Sequence, residues 1–161
     1  MVNNNMSESA SVPVAPALEG ADPFDLLLGY QIRRLSVVVM ADLAAALAPL
    51  GIKPAVASVL FAIAAQDGLT QSDIGRMLGI QRANMAPLIA GMLRQGLIER
   101  DALDGRSQAL RLSAAGRALQ QEAWRVVRAH EDRLFSSLTD DQRAALRLQI
   151  RELWELHGKE A

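Results

Sequence analysis

The sequence predicts a mainly α fold, with a winged helix-turn-helix lobe flanked by long N- and C-terminal dimerisation helices. Three observations lead there. The stretch from Thr70 to Leu112, TQSDIGRMLGIQRANMAPLIAGMLRQGLIERDALDGRSQALRL, reads as helix, tight turn, helix and a two-stranded hairpin. Apolar residues recur at helical spacing on both sides of that stretch. Ala and Leu dominate a chain that is 50% hydrophobic but only 4% aromatic, a composition that favours helix. At 161 residues the chain is long enough for one well-buried domain, or for a compact lobe with a dimerisation appendage.

Residues 1–21 are rich in Asn, Ser, Ala and Pro without periodicity and are expected to form a disordered tail. A single domain is expected over 22–161, with dimerisation helices at 22–48 and 113–157 around a lobe at 54–112. Asp22-Pro23 offers a helix start, Asp as N-cap and Pro where its missing N–H costs nothing. Phe24, Leu27, Leu28, Ile32, Leu35, Val38, Val39, Leu43 and Leu47 then form a helical stripe that ends near Pro49-Leu50-Gly51. A second helix is expected from about Pro54 to Gln66, broken by Asp67-Gly68. Thr70 opens a short helix to Leu78, reinforced by Asp73 three residues on, and Gly79 suits the left-handed turn before the next helix. That helix covers roughly Arg82 to Gln95. Leu97–Arg100 and Gln108–Leu112 read as hairpin strands. Ser113 caps a long helix to about Ser136, and Thr139 with Gln142 forms a capping box for a last helix to about His157. Leu146, Ile150, Leu153, Trp154 and His157 share one face of it. Terminal helices whose apolar faces exceed what a small lobe can cover bury them on a second copy, so a homodimer is expected.

Composition excludes much. The net charge of −1 gives no global attraction to nucleic acid, so DNA contact must rest on a local basic patch. The absence of cysteine rules out disulfides, thiolate metal sites and thiol redox sensing. His130 and His157, the only histidines, are too far apart for a helical His-rich metal site. There is no membrane-length apolar run and no secretory signal pattern. The expectation is a bacterial-type cytoplasmic protein with no cofactor and no metal. No G-x-S-x-G, phosphate loop or paired-carboxylate spacing is present to carry catalysis, so no enzyme is expected.

In a helix-turn-helix the first turns of the second helix reach base edges. Here these are Gln81, Arg82, Asn84 and Met85. Arg can fork onto guanine, Asn onto adenine, and Met can meet a thymine methyl. Gln81 equally suits a poor N-cap and Met85 the core. Pro87 implies either irregular first turns or a helix that effectively begins near Asn84. Thr70, Gln71 and Ser72 stand where the first helix meets the backbone phosphates. At the hairpin tip, Asp104-Gly105 favours a tight turn that presents Arg106, with Ser107 and Gln108 beside it. An inserted Arg suits a narrow minor groove, and Asp104 would pin a nearby Arg by a charge-assisted pair.

From Leu69 to Gly116 the chain resembles the MarR family of regulators. The resemblance rests on the helix-turn-helix, the GLIER run from Gly96 to Arg100, the D-x-R at Asp104 and Arg106, and the leucine–hydroxyl–x–x–Gly run of Leu112, Ser113 and Gly116. It implies a helical dimer that binds double-stranded DNA at pseudo-palindromic operators, usually as a repressor released by a small ligand. Gln81 and Arg82 depart from the Ser or Thr of many members, and the lack of Cys excludes the peroxide-sensing mode. The run RANMAPLI, Arg82–Ile89, is similar to members that control aromatic acid catabolism, whose inducers include aryl-CoA thioesters. The family places an effector pocket between the dimerisation helices and the lobe. Tyr30, Arg33 and Arg34 on the first helix and Trp124, Arg128 and His130 on the fifth are its candidates here, Arg for a carboxylate or phosphate and the rings for an aryl group. The alternative function is a helix-turn-helix protein acting through protein contacts, an anti-activator without ligand response.

Overall fold

The computed structural model describes Asp22 and residues 24–102 and 108–157. Its helices are α1 (Leu28–Leu47), α2 (Pro54–Ala65), α3 (Gln71–Leu78), α4 (Arg82–Arg94), α5 (Ala114–Leu134) and α6 (Asp140–His157), and a 3-10 turn spans Ala48–Leu50. The strands β1 (Ile98–Ala102) and β2 (Gln108–Leu112) lie between α4 and α5. Contacts divide the described chain into one unit ending at Ser36 and another starting at Val37.

In the first unit, α1 begins later than the Asp22-Pro23 signal suggests. Asp22 Oδ1 accepts the Phe24 N–H at 3.0 Å, and this cap closes a separate turn at residues 24–26. The Gln31 side chain braces that turn from α1, donating to Phe24 O and Asp25 Oδ1 at 3.3 Å each. Pro23 lies outside the described residues.

The second unit holds two apolar clusters. One gathers Val59, Leu60, Ile63, Ile74, Met85, Ile89, Met92, Ile98, Leu110 and Leu112 under the helix-turn-helix and hairpin. The other joins Leu47, Ile52, Ala57 and Ala123, with Leu119, Val126 and Val127 of α5 packed on it. The α2 sequence PAVASVLFAIAA is apolar around most of its circumference because Val56 and its neighbours face both clusters.

The Thr70 capping box forms as its spacing predicts: Asp73 N–H donates to Thr70 Oγ1 and Thr70 N–H to Asp73 Oδ2. Gly79, at φ 63°, makes the left-handed turn that a side chain would strain. At α4 neither expected disruption occurs. The helix starts at Arg82 and runs unbroken through Pro87, and its first turn is tightened by Gln81 O accepting both Asn84 and Met85 N–H. The hairpin is antiparallel, with Ile98 opposite Leu112 and Ala102 opposite Gln108, so β1 extends past the Arg100 end expected for it. Leu110 N–H donates to Leu69 O at 2.8 Å, which ties the hairpin to the entry of α3.

Ser113 caps α5 and the Thr139–Gln142 box caps α6 as expected. None of the α6 residues is buried. Leu146, Leu148, Ile150, Leu153, Trp154 and Leu156 are all exposed. No single described helix is long and apolar enough to cross a membrane.

Candidate nucleic-acid interface

The openings of α3 and α4 face one open groove of about 1330 Å³. Gln71, Ser72, Arg76, Gly79, Ile80, Gln81 and Arg82 line it, with Trp154 and His157 at its edge. The local sequence explains why polar atoms gather there. The capping box uses the side chains of Thr70 and Asp73 inside α3's own first turn, which leaves Gln71 and Ser72 turned outward. Gln81 makes no side-chain cap on α4, so the Arg82 and Ala83 amides that open the helix stay available to an anion. Arg82 and Asn84 are exposed on the same turn.

Two candidates take the structural one of the roles that the sequence left open for them. Met85 is 1% exposed and belongs to the lobe core. Its side chain packs beside Gly75, where α3 and α4 approach closely, and the two residues form part of the groove lining. Thr70 is occupied in the box: its hydroxyl donates to Asp73 Oδ2 at 2.6 Å, so it shapes the α3 start instead of presenting a free donor. The Thr70 hydroxyl and backbone N–H, joined by Arg76, hold the Asp73 carboxyl below the usual carboxylate range.

Sequence reasoning missed Arg76. It lies one helical turn beyond Ser72 and is paired with Asp73, a position that the i, i+4 spacing from Ser72 would have revealed. It missed Arg100 as well, whose Nη1 donates to Gln108 Oε1 at 3.0 Å. On the other face of the hairpin, Arg111 is bracketed by Glu99 and by Asp101, the latter at 2.8 Å. Both acids raise its affinity for its proton, Asp101 most. Asp104, Arg106 and Ser107 lie outside the described residues.

The effector candidates are divided between the two units. In the first unit Tyr30 stacks on Phe24, ring centroids 4.4 Å apart, and Arg34 sits over the Tyr30 ring; Arg33 is exposed. In the second unit Trp124 is half exposed and meets Phe61 edge to face at 5.1 Å. Arg128 lines a cleft of about 440 Å³ between α5 and α6, over Phe135, Leu138, Leu146 and Ile150. His130 is not open to a ligand. It is 2% exposed, with Nε2 3.1 Å from Asp42 Oδ2, because the turn spacing of α5 points it inward beside Ala123 and Val127.

A capped helix, a left-handed glycine turn, a second helix with uncapped polar residues and an adjoining hairpin define a winged helix-turn-helix DNA-binding protein. The sequence model of the MarR family matches residues 50–107. An HTH-type transcriptional repressor of Mycobacterium bovis is 30% identical over 131 residues, spanning 80% of this chain and 94% of its relative. The chain belongs to the MarR family. Among solved structures, the transcriptional repressor CouR bound to a 23-mer DNA duplex is 34% identical, with a TM-score of 0.76 over 81% of this chain and 94% of that one. The same repressor bound to p-coumaroyl-CoA is 34% identical, with a TM-score of 0.73 over 81% and 93%. A MarR family protein of Mycobacterium tuberculosis in complex with salicylic acid is 29% identical, with a TM-score of 0.66 over 84% and 99%.

Proposed function

We propose that this protein is a dimeric, cytoplasmic transcriptional repressor that places α4 in the major groove of each operator half-site and is released by an aromatic acid or its CoA thioester. The observation that carries the DNA reading is the shared groove at the openings of α3 and α4, with Arg76, Gln81 and Arg82 on it and Asn84 on the same exposed turn. Arg82 and Asn84 read base edges; Gln71, Ser72, Arg76 and the amides of α4 hold phosphates. Arg100 and Gln108, together with Arg106, serve the neighbouring groove. The protein acts by binding and carries out no catalysis.

The dimer is supported by the apolar residues left open on α1 and α6, and the single domain over 22–161 is complete only as a pair. Ligand release is supported by the relatives seen with p-coumaroyl-CoA and salicylic acid. Within the second unit, Trp124 with Phe61 offers an aryl-binding surface, and Arg128 offers a cation for a carboxylate or phosphate. A hundredfold release needs about 2.7 kcal/mol of preference for the DNA-incompetent arrangement.

The test is a mobility shift on duplex from upstream of the protein's own gene, then titration of that complex with hydroxycinnamates, salicylate and p-coumaroyl-CoA. A sequence-specific shift reversed by one of them is the expected result. Absence of any specific shift overturns the DNA reading. A specific shift that none of these ligands changes at millimolar concentration overturns the effector class.

A further inference from the structure

Past its last residue α4 closes with two backbone bonds: Gly96 N–H donates to Leu93 O and Leu97 N–H to Met92 O, each at 3.0 Å. The carbonyls of the same two residues receive the start of α5. Ser113 Oγ donates to Gly96 O at 2.6 Å and lies 3.2 Å from Leu97 O. It also accepts the Gly116 N–H at 2.9 Å, while Ser113 N–H donates to Leu97 O at 3.1 Å. The end of the reading helix and the start of α5 therefore share one capping unit. Gly116 is seated so closely that an added Cβ would stand 1.9 Å from Leu97 O. At the far end of α5, Arg133 donates to Asp42 of α1 at 2.6 Å, and the buried His130 approaches the same carboxylate.

We propose that Ser113 and Gly116 are positioning residues that lock α5 to the end of α4, so that the reading helix and α5 turn as one body and α5 sets the operator spacing. The consequence for spacing rests on the proposed DNA-binding dimer; the lock itself does not. A dimer reads half-sites about one helical turn apart. One inserted base pair displaces a half-site by roughly 3.4 Å and a tenth of a turn. A locked α4 cannot follow. An unlocked one follows at a penalty lowered by the weight of the lost bonds.

Three variants separate the lock from ordinary helix capping. Ser113→Asp keeps a good N-cap for α5, but an ionised carboxylate cannot donate to Gly96 O. Ser113→Ala loses both functions, and Ser113→Thr retains both. Because the chain has no cysteine, Arg94→Cys on α4 and Arg125→Cys on α5, both exposed, carry a clean pair of spin labels. Diluting with unlabelled chain keeps the measured pair within one protomer. The distance distribution is expected to be narrow with Ser113 or Thr and broad with Ala or Asp. A distribution as narrow in Ala and Asp as in the parent overturns the lock.

On DNA, the parent and Ser113→Asp are compared on the operator and on the operator with one base pair inserted between half-sites. The insertion should cost Ser113→Asp roughly fivefold less affinity than it costs the parent, the weight of one buried hydrogen bond. Equal losses overturn the role in spacing. If the parent binds no duplex specifically, the DNA reading fails while the spin-label pair still judges the lock.

Discussion

At Gly116 the backbone of α5 passes against the Leu97 carbonyl with no room for one further carbon. Neither atom can yield without breaking the bonds that Ser113 makes to the same segment. Gly116→Ala should therefore destabilise the protein by about 3 kcal/mol in urea denaturation, the upper range for overpacking. Asp73 makes a pH-dependent prediction. Its folded carboxyl titrates below the ordinary value because Thr70 donates to it and Arg76 lies beside it. Such a group contributes stability that is fully present above the unfolded value of about 3.9 and is lost as pH falls through the depressed folded value. Urea denaturation of Asp73→Asn should show a deficit against the parent at neutral pH that shrinks at about pH 3. A deficit that does not change between the two pH values would assign it to shape alone. Thr70 and Asp73 were legible as a capping pair because the signal is local. Met85 was not, because its period on α4 fits either the groove or the core, and only the close approach of α3 at Gly75 turns it inward.

At the scale of elements, α4 combines the proposed reading surface with an internal proline. Arg82→Ala should cost about 1–3 kcal/mol on the operator and much less on random duplex, if Arg82 forks onto a guanine. Fluorescence anisotropy on both duplexes measures the difference, and equal losses would make Arg82 a phosphate contact. Pro87 denies the helix one backbone donor and crowds the carbonyl four residues back, together about 3 kcal/mol, and returns about 1 kcal/mol by restricting the unfolded chain. Pro87→Ala should then stabilise the protein by about 2 kcal/mol, read as a higher urea midpoint. In the hairpin, the acidic residues Glu99 and Asp101 both pair with Arg111 across the strands, while Arg100 and Gln108 pair on the opposite face. The sequence marked the hairpin by its turn residues alone. Register, which assigns each charge to a face, came from the pairing of Ile98 with Leu112.

For the whole molecule, α6 has no buried residue and six large apolar side chains in the open, and α1 exposes Ile32, Leu35, Val37 and Val38. Apolar surface on that scale calls for a partner. Sedimentation at micromolar concentration should give a dimer. Removing the chain from Asp140 onward should give aggregated or unfolded protein, because α1 then loses the surface it would pair with; a well-folded monomer would count against that arrangement.

The sequence by itself determined the order of elements, their caps and the candidate reading turn, since each depends on residues within a few positions of one another. Thr70 with Asp73, Thr139 with Gln142, Ser113 before α5 and Gly79 between two helices are all short-range signals with one physical solution. The tertiary structure decided which candidates face outward and which are consumed within the fold. His130 reads as a candidate for an effector pocket in one dimension and is buried beside Asp42 in three. Arg76 reads as a surface charge and stands on the groove proposed to meet DNA. Ser113 reads as a cap for one helix, and the fold brings it to Gly96 so that it caps one helix and anchors another. Local hydrogen bonding is written in adjacent residues, whereas burial and shared contacts depend on elements far apart in the chain.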